Sequence, residues 1–156
     1  MRLLLDTNAL FWSVQQPERL DGEVRSLIID PANDVFATLA SAHEIATKIA
    51  ARKWPEAIGL LTGFEIIVAD AGFGLISPIA TDYLNMTRLP DIEGHRDPLD
   101  RLIIAMAMAR ELVLVSSDAM AESYAVAWMR AGRGTGRARR AQNRIMPEQP
   151  LIPISL

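Results

Sequence analysis

The stretch HRDPLDRLIIAMAMARELVLVSSD, residues 95–118, decides the fold because it predicts a helix, a strand and an acidic loop in succession. Asp97 and the proline after it predict the start of the helix, since aspartate accepts free N–H groups of a first turn and proline there loses no helical hydrogen bond. From that proline to Ala109 only Asp100 and Arg101 are polar, as is typical of a helix buried inside a layered domain. The run LVLVSS that follows has the two-sided apolar character of a buried parallel strand.

Asp97 and Asp100 also have an ordinary structural interpretation. Both fall in the first turn of the predicted helix, where carboxylates bond free N–H groups and favour the positive end of the helix dipole. Taken alone, the pair needs no other explanation. A functional role becomes the better interpretation only if other acids converge on the same end of the sheet.

Outward from this stretch, apolar runs alternate with helical patterns, which predicts a parallel sheet with helices on both faces. The other predicted strands are Arg2–Leu5, VFATLA (35–40), FEIIVAD (64–70) and AVAWM (125–129). The other predicted helices follow Asn8 and lie near residues 21–29, 41–53, 56–61, 76–89 and 119–124. The third of these is predicted from a capping box, in which Ser41 and Glu44 each satisfy a free N–H group of the first turn.

The composition of the chain fits one globular domain. Of its 156 residues, 50% are hydrophobic and 22% are charged. The absence of cysteine excludes disulfides, thiolate zinc sites and cysteine nucleophiles. Asp6 interrupts the opening leucines too early for a secretory signal, and no apolar run is long enough to span a membrane. We therefore expect a cytoplasmic protein that does not enter a membrane.

Charge divides the chain into two unlike segments. Residues 1–129 hold 10 Lys and Arg against 18 Asp and Glu, whereas residues 130–156 hold 6 Arg and one Glu. We interpret the second segment as an Arg-rich C-terminal extension. Its arginines can neutralise RNA phosphates, form a solvated and poorly ordered extension, or pack against the acidic body. Its composition favours the solvated extension.

Four acids are predicted to meet at one edge of the sheet. Asp6 follows the first strand, Glu44 and Asp100 stand in first turns of helices, and Asp118 follows the strand LVLVSS. Ligand sites of parallel sheets lie beyond the carboxyl ends of the strands, where such positions converge. Each acid alone is also explained as a turn or capping residue, so the hypothesis of a site depends on their joint placement.

A divalent cation would relieve the repulsion between carboxylates gathered in this way. Because the sequence predicts only oxygen ligands, with no histidine or cysteine near them, it favours a hard ion, Mg²⁺ or Mn²⁺. Phosphodiester hydrolysis is the chemistry that best uses such an ion. Arg96 and Arg101 flank the acids of the buried helix, where each can hold a substrate phosphate or pair with a neighbouring carboxylate.

The segments LLLDTNALFW, ASAHEIATKIA, HRDPLDRLIIAMA and LVLVSSD resemble those of PIN-domain ribonucleases, in particular the VapC-like toxins of type II toxin–antitoxin pairs. The resemblance covers residues 1–129 and implies a Rossmann-like, three-layer α/β/α fold. It also implies Mg²⁺- or Mn²⁺-dependent cleavage of RNA and inhibition by a small cognate antitoxin whose tail occupies the cleft. We also expect a homodimer. Such chains usually stop soon after the last short strand, so the resemblance says nothing of residues 130–156.

Matched motif to motif, the resemblance supplies a set of site residues. The catalytic and metal-binding acids fall on Asp6, Glu44, Asp100 and Asp118, and Asp97 is an accessory acid that binds metal or only caps its helix. Thr7 and Asn8 fall beside the first acid and Ser117 beside the last. Together with Arg96 and Arg101, which are predicted from their position beside the acids of the buried helix, they are the predicted substrate contacts. The resulting prediction is a metal-dependent endoribonuclease. The alternative is a catalytically weak or inactive PIN-fold module that binds an antitoxin or RNA without turnover.

Overall fold

The computed structural model describes residues 1–95, 97–132, 147 and 149–156. The strands are β1 (Arg2–Leu5), β2 (Asp34–Thr38), β3 (Gly74–Ile76), β4 (Val113–Ser116) and β5 (Trp128–Arg130). Within the described residues they form one sheet in the order β3-β2-β1-β4-β5, and all neighbouring strands are parallel. The predicted α/β fold with a mainly parallel central sheet is confirmed.

β1 lies at the centre of the sheet and marks the point where the chain reverses its direction across it. Leu3 pairs with Val35 of β2 on one side, and Leu4 pairs with Leu114 of β4 on the other. The chain therefore builds β2 and β3 outward from β1 before it crosses back to add β4 and β5. Crevices that bind ligands form at such switch points, because the loops after the two central strands diverge there.

Helices cover both faces of this sheet, as a three-layer domain requires. Two apolar clusters, one on each face, are formed by alternate residues of the strands: Leu3 and Leu5 belong to one, and Leu4 to the other. Among the described residues no helix is long and apolar enough to cross a membrane. The helices are α1 (Thr7–Gln15), α2 (Gly22–Ile29), α3 (Leu39–Ala50), α4 (Ile58–Thr62), α5 (Phe64–Asp70), α6 (Ala80–Thr87) and α7 (Pro98–Ala109).

α7 is the buried helix that the opening stretch predicts. Asp97 is its N-cap and accepts hydrogen bonds from the N–H groups of Leu99 at 2.9 Å and Asp100 at 3.4 Å. Pro98 occupies the first helical position. The apolar residues from Leu102 onward are almost all buried in the cluster on the α7 side of the sheet. The cap therefore fixes the first turn at the edge of the sheet while the rest of the helix is held by packing.

The prediction of a strand over FEIIVAD is wrong, because these residues form α5. Phe64 and Val68, four residues apart, are buried, while Glu65 and Ile66 between them are exposed. That spacing is helical, whereas a strand would bury every second side chain. The third strand is β3, immediately downstream, where Gly74 pairs with Phe36 of β2.

The predicted capping box at Ser41 is also wrong. α3 begins earlier, at Leu39, and its N-cap is Thr38, whose hydroxyl accepts a hydrogen bond from the N–H of Ala40 at 3.2 Å. Thr38 is the last residue of β2, so the strand passes into the helix without a loop. Ser41 and Glu44 consequently lie inside the helix, where both are buried and free to contact the sheet edge.

The described end of the chain packs against α6 and α7. Asn85 donates a hydrogen bond to the carbonyl of Ile152 at 2.8 Å and accepts one from its N–H at 2.7 Å. The N–H of Ile154 donates to the carbonyl of Ala109 at 2.9 Å. Residues 133–146 and 148, which carry most of the arginines of the predicted extension, lie outside the described residues. The division of the chain at residue 129 stays a prediction.

Candidate active site

Asp6 links the ends of the two central strands. It follows β1 and is the N-cap of α1, where its Oδ1 accepts a hydrogen bond from the N–H of Ala9 at 2.6 Å. Its Oδ2 accepts one from the N–H of Ser117, just after β4, at 3.0 Å. Burial raises the pKa of Asp6 to about 6 against the lowering effect of these hydrogen bonds, and the negative charge of Glu44 raises it further. The carboxylate is thus fixed in place and poorly compensated.

Asp100 lies in the first turn of α7 and faces several other carboxylates. Burial raises its pKa to about 7, and the charges of Glu44, Asp97, Asp6 and Asp118 act in the same direction. No hydrogen bond reaches its carboxylate oxygens from the rest of the described chain. The other four predicted acids therefore lie close enough to act on Asp100 through their charges.

Glu44 is buried on α3 and has two partners. The Thr7 hydroxyl donates a hydrogen bond to Oε2 of Glu44, and the Lys48 ammonium lies 2.5 Å from Oε1 of Glu44. Burial lowers the pKa of Lys48, but the hydrogen bond from its ammonium to Glu44 and the charges of Glu44, Asp100 and Asp97 outweigh this effect and raise it. Lys48 is a site residue that the sequence interpretation missed, although Glu and Lys four residues apart on a helix are a known signal of contact.

Asp118 caps the short 3₁₀ helix Ala119–Ser123 that follows β4. Its Oδ1 accepts a hydrogen bond from the N–H of Met120 at 2.8 Å, which leaves Oδ2 to face the site. This oxygen lies 3.3 Å from Nε2 of His95. The capping interpretation of Asp118 is therefore correct, and it accounts for only one of the two carboxylate oxygens.

His95 corrects the expectation that no histidine lies near the acids. It is buried, and its Nε2 lies 3.3 Å from Asp118 Oδ2 and 4.0 Å from Asp100 Oδ2. A small cavity is lined by His95, Asp6, Asp100 and Asp118 together with apolar side chains of α7 and β4. The sequence interpretation used His95 only as part of a motif, because nothing local shows that a loop residue before α7 folds back over its first turn.

The acids at the ends of β1 and β4 and at the start of α7 form one cavity at the switch point of a parallel sheet. Residues 3–127 match the model of the PIN domain. The chain belongs to the PIN domain family. PIN domains are typically nucleases, and they generally use divalent metals. The predicted family is therefore confirmed, and with it a nuclease at the level of the family.

Among solved structures, the PIN domain is similar in fold to VapBC2 from Rickettsia felis, whose crystal structure contains a DNA fragment from the promoter of that pair. The two are 16% identical in sequence, the TM-score is 0.50, and the match covers 76% of this chain and 88% of the other. No curated protein matches the chain. At 16% identity this likeness supports the fold alone and not the roles of individual residues.

The donors in this PIN domain fit a divalent cation. One ligand atom each from His95, Asp100 and Asp118 lie within 4.8 Å of one another, a spread that ligands around one ion also show. Burial raises the pKa values of Asp6 and Asp100 and neighbouring carboxylates raise them further, so a bound cation would favour their ionised forms. The carboxylates favour Mg²⁺ or Mn²⁺, and an imidazole among them is a donor that Mn²⁺ accepts more readily than Mg²⁺.

Three predicted substrate contacts of the PIN domain differ in position, because two lie beside Asp6 and one contacts Glu44. Asn8 donates a hydrogen bond to Ser117 Oγ at 3.0 Å, so these two predicted residues sit together beside Asp6. Thr7 is buried and contacts Glu44 and Ser41 instead of open solvent. Thr7 contacts Glu44 and the Ser117 N–H contacts Asp6, whereas Asn8 reaches the acids through Ser117.

The two predicted arginines stay without support as phosphate ligands. Arg96 lies outside the described residues. The Arg101 guanidinium donates to the carbonyls of Pro90 at 2.9 Å and Leu89 at 3.2 Å and to the Tyr124 hydroxyl at 3.0 Å. These three bonds direct Arg101 into the protein, an arrangement typical of a structural side chain.

Proposed function

We propose that this PIN domain is a metal-dependent endoribonuclease that hydrolyses RNA phosphodiester bonds with Mg²⁺ or Mn²⁺. The observation that carries the proposal is the raised pKa of Asp100, to about 7, caused by burial and by four neighbouring carboxylates. A helix cap alone does not need four further carboxylates around it, even with Lys48 paired to Glu44. A bound divalent cation would neutralise this charge, and such an ion would also assist phosphodiester hydrolysis.

In this proposal Asp6 and Asp100 are the main metal ligands and Asp118 completes the site. Glu44 binds the ion through water or accepts a proton from the attacking water, and Asp97 is an accessory acid. The bound ion supplies Lewis acidity toward the phosphodiester and lowers the pKa of water.

The chain contributes a fixed geometry around these acids. Backbone N–H groups hold both oxygens of Asp6, and Thr7 and Lys48 hold those of Glu44. Preorganisation of this kind removes the need to reorient the ligands during the reaction. Lys48 is paired with Glu44 beside these acids, where its ammonium could also hold an RNA phosphate.

The proposal extends to biological role. We infer that the nuclease is a VapC-like toxin of the cytoplasm, neutralised by a cognate antitoxin, and that it is a homodimer. The fold likeness to VapBC2 supports this role, as does the resemblance of the motifs around Asp6, Glu44 and Asp100 to those of VapC-like toxins. Growth arrest by wild type, and normal growth with Asp100→Asn, on expression in a bacterial host would test the toxin role. Light scattering of the purified chain tests the dimer.

Cleavage of a mixed RNA pool by the purified protein in Mg²⁺ or Mn²⁺ tests the enzyme itself. We expect wild type to cut RNA, EDTA to abolish the cutting, and Asp6→Asn and Asp100→Asn to lose it. Glu65→Gln, which removes an exposed carboxylate from α5, is the matched control and should cut like wild type. Circular dichroism must show that all variants are folded. An inactive wild type that still binds RNA would instead identify a binding module.

A further inference from the structure

His95 belongs to a chain of polar contacts that begins in the interior and ends at the active-site acids. Arg101 Nη1 donates to the Tyr124 hydroxyl at 3.0 Å, and that hydroxyl lies 2.8 Å from Nδ1 of His95. On the other side of the ring, Nε2 lies 3.3 Å from Asp118 Oδ2. His95 and Tyr124 are both buried, and Tyr124 is 0% exposed.

The donors and acceptors in this chain fix the tautomer of His95. A guanidinium carries donors only, so the Tyr124 oxygen must accept from Arg101. Its own proton then needs an acceptor, and His95 Nδ1 is the one within hydrogen-bond distance in the described part of the chain. Burial raises the pKa of Tyr124, so its hydroxyl keeps that proton. With Nδ1 as acceptor, the proton of the neutral ring sits on Nε2, the nitrogen that lies 3.3 Å from Asp118 Oδ2.

We propose that His95 is a positioning residue, whose Nε2–H, fixed by Tyr124 and Arg101, holds the Oδ2 side of Asp118 in the orientation that the metal site needs. His95 is then a neighbour of the ion through Asp118 and not a ligand, although its Nε2 lies among the possible ligand atoms. The inference rests on the proposed metal-dependent function. Outer partners of this kind change metal affinity by about 10- to 100-fold when they are removed.

Two replacements of His95 separate this role from mere filling of space. The amide nitrogen of glutamine reaches the position of Nε2, whereas that of asparagine reaches only the position of Nδ1. His95→Gln should therefore keep Mn²⁺ affinity within a few-fold of wild type, while His95→Asn should lose about 10-fold or more. Tyr124→Phe keeps the buried ring and removes the hydroxyl that sets the tautomer. It should weaken Mn²⁺ binding like His95→Asn.

The measurement is calorimetric titration of each full-length variant with Mn²⁺ alone, combined with electron spin-echo spectroscopy of the Mn²⁺-loaded wild type. The positioning role predicts the affinity order above and no nitrogen coupling of a bound imidazole. Nitrogen coupling in wild type would overturn it and make His95 a ligand. Equal Mn²⁺ affinity of His95→Asn and wild type would overturn it as well.

Parallel RNA-cleavage assays keep the two proposals distinguishable. If wild type binds Mn²⁺ but cuts no RNA, the nuclease proposal fails while the affinity comparison still decides the role of His95. If wild type binds no Mn²⁺, the metal site is absent and the positioning role falls with it. If RNA is cut and the variants bind Mn²⁺ equally, only the positioning role is wrong.

Discussion

Asp6 and Ser117 are joined by a hydrogen bond of 3.0 Å between the Asp6 carboxylate and the Ser117 N–H, although 111 residues of sequence separate them. This bond holds the carboxyl ends of β1 and β4 together where the chain reverses across the sheet. The other oxygen of the same carboxylate caps α1. Asp6 is therefore part of the framework as well as of the proposed metal site.

Asp6→Asn should be less stable than Asp100→Asn. An asparagine offers one acceptor oxygen to the two N–H groups that Asp6 now satisfies, so one of them loses its partner. Asp100 has no comparable bond from the described residues. In urea titrations with EDTA, we expect the free energy of unfolding of Asp6→Asn to be about 1–2 kcal/mol lower than that of Asp100→Asn. Equal stability of the two variants would contradict this account.

The stability of the metal-free protein should fall as pH rises from about 4 to about 7. The pKa values of Asp6 and Asp100 are raised in the folded state to about 6 and about 7, so the folded protein binds more protons than the unfolded chain in this window. The stabilisation that these two carboxyl groups contribute is fully present below about pH 3.9, the pKa of aspartate in the unfolded chain. It is lost as the pH rises past their pKa values in the folded state. Thermal melts in EDTA measure it.

Mg²⁺ or Mn²⁺ should reverse that loss, with a larger rise in Tm at pH 8 than at pH 5, because protonated carboxyl groups bind cations poorly. Asp100→Asn is the control, since its melting temperature should depend less on pH and on metal. A melting temperature of the wild type that is independent of pH between 4 and 8 would show that the acids are not coupled as described.

Lys48→Met should make the protein more dependent on a divalent metal. The methionine keeps part of the apolar stem of Lys48 but removes the cation that neutralises Glu44. We expect a lower Tm in EDTA and a larger rise in Tm on addition of Mn²⁺ than wild type shows. Lys53→Met removes an exposed lysine and is the matched control. Identical metal-induced shifts in both variants would show that Lys48 does not compensate the acids.

Gly74→Ala should destabilise the edge of the sheet. A Cβ at this position would lie 2.6 Å from Cδ1 of Phe36, the residue that pairs with Gly74 across β2 and β3. Overpacking of this kind costs about 1–3 kcal/mol, measurable by urea unfolding. Gly59→Ala is the control: its Cβ meets open space on α4, where alanine favours the helix.

Combining Gly74→Ala with Phe36→Leu tests the cause of that loss. If the ring of Phe36 is what the new methyl group meets, the double variant should lose less stability than the sum of the two single variants. Additive losses would place the strain in the backbone of β3 instead.

The parts of the fold that the sequence predicts well are those held by local signals. α7 combines a cap, a proline and a long apolar run, so Asp97 and Pro98 locate its start correctly. The segment that forms α5 has only a short apolar run, which fits a buried strand as well as a helix turning one face to the core. Packing of Phe64 and Val68 against the sheet decides between them, and packing is not visible in seven residues.

The site shows the same division. Acids at strand ends are predictable, because a parallel sheet brings its carboxyl ends together. His95 and Lys48 are not, because their importance comes from contacts with Asp118 and Glu44 that depend on the folded position of a loop and of a helix face. Arg101 shows the reverse case: its neighbours in sequence are acids, whereas its guanidinium donates to the carbonyls of Leu89 and Pro90, so its role as a substrate contact stays a prediction.

The central position of β1 also determines when the site can first exist during synthesis. β1 is made first, yet its second partner, β4, ends only at Ser116, and Asp118 follows it. Parallel pairings between such distant segments form slowly, because the chain loses the entropy of closing a long loop before the contacts between the strands form. Before β4 has left the ribosome, the nascent chain therefore already contains Asp6, Glu44 and Asp100 but not the folded strand that brings them to Asp118. On the proposed function, a ribosome completes nearly all of this domain before the domain can cut RNA.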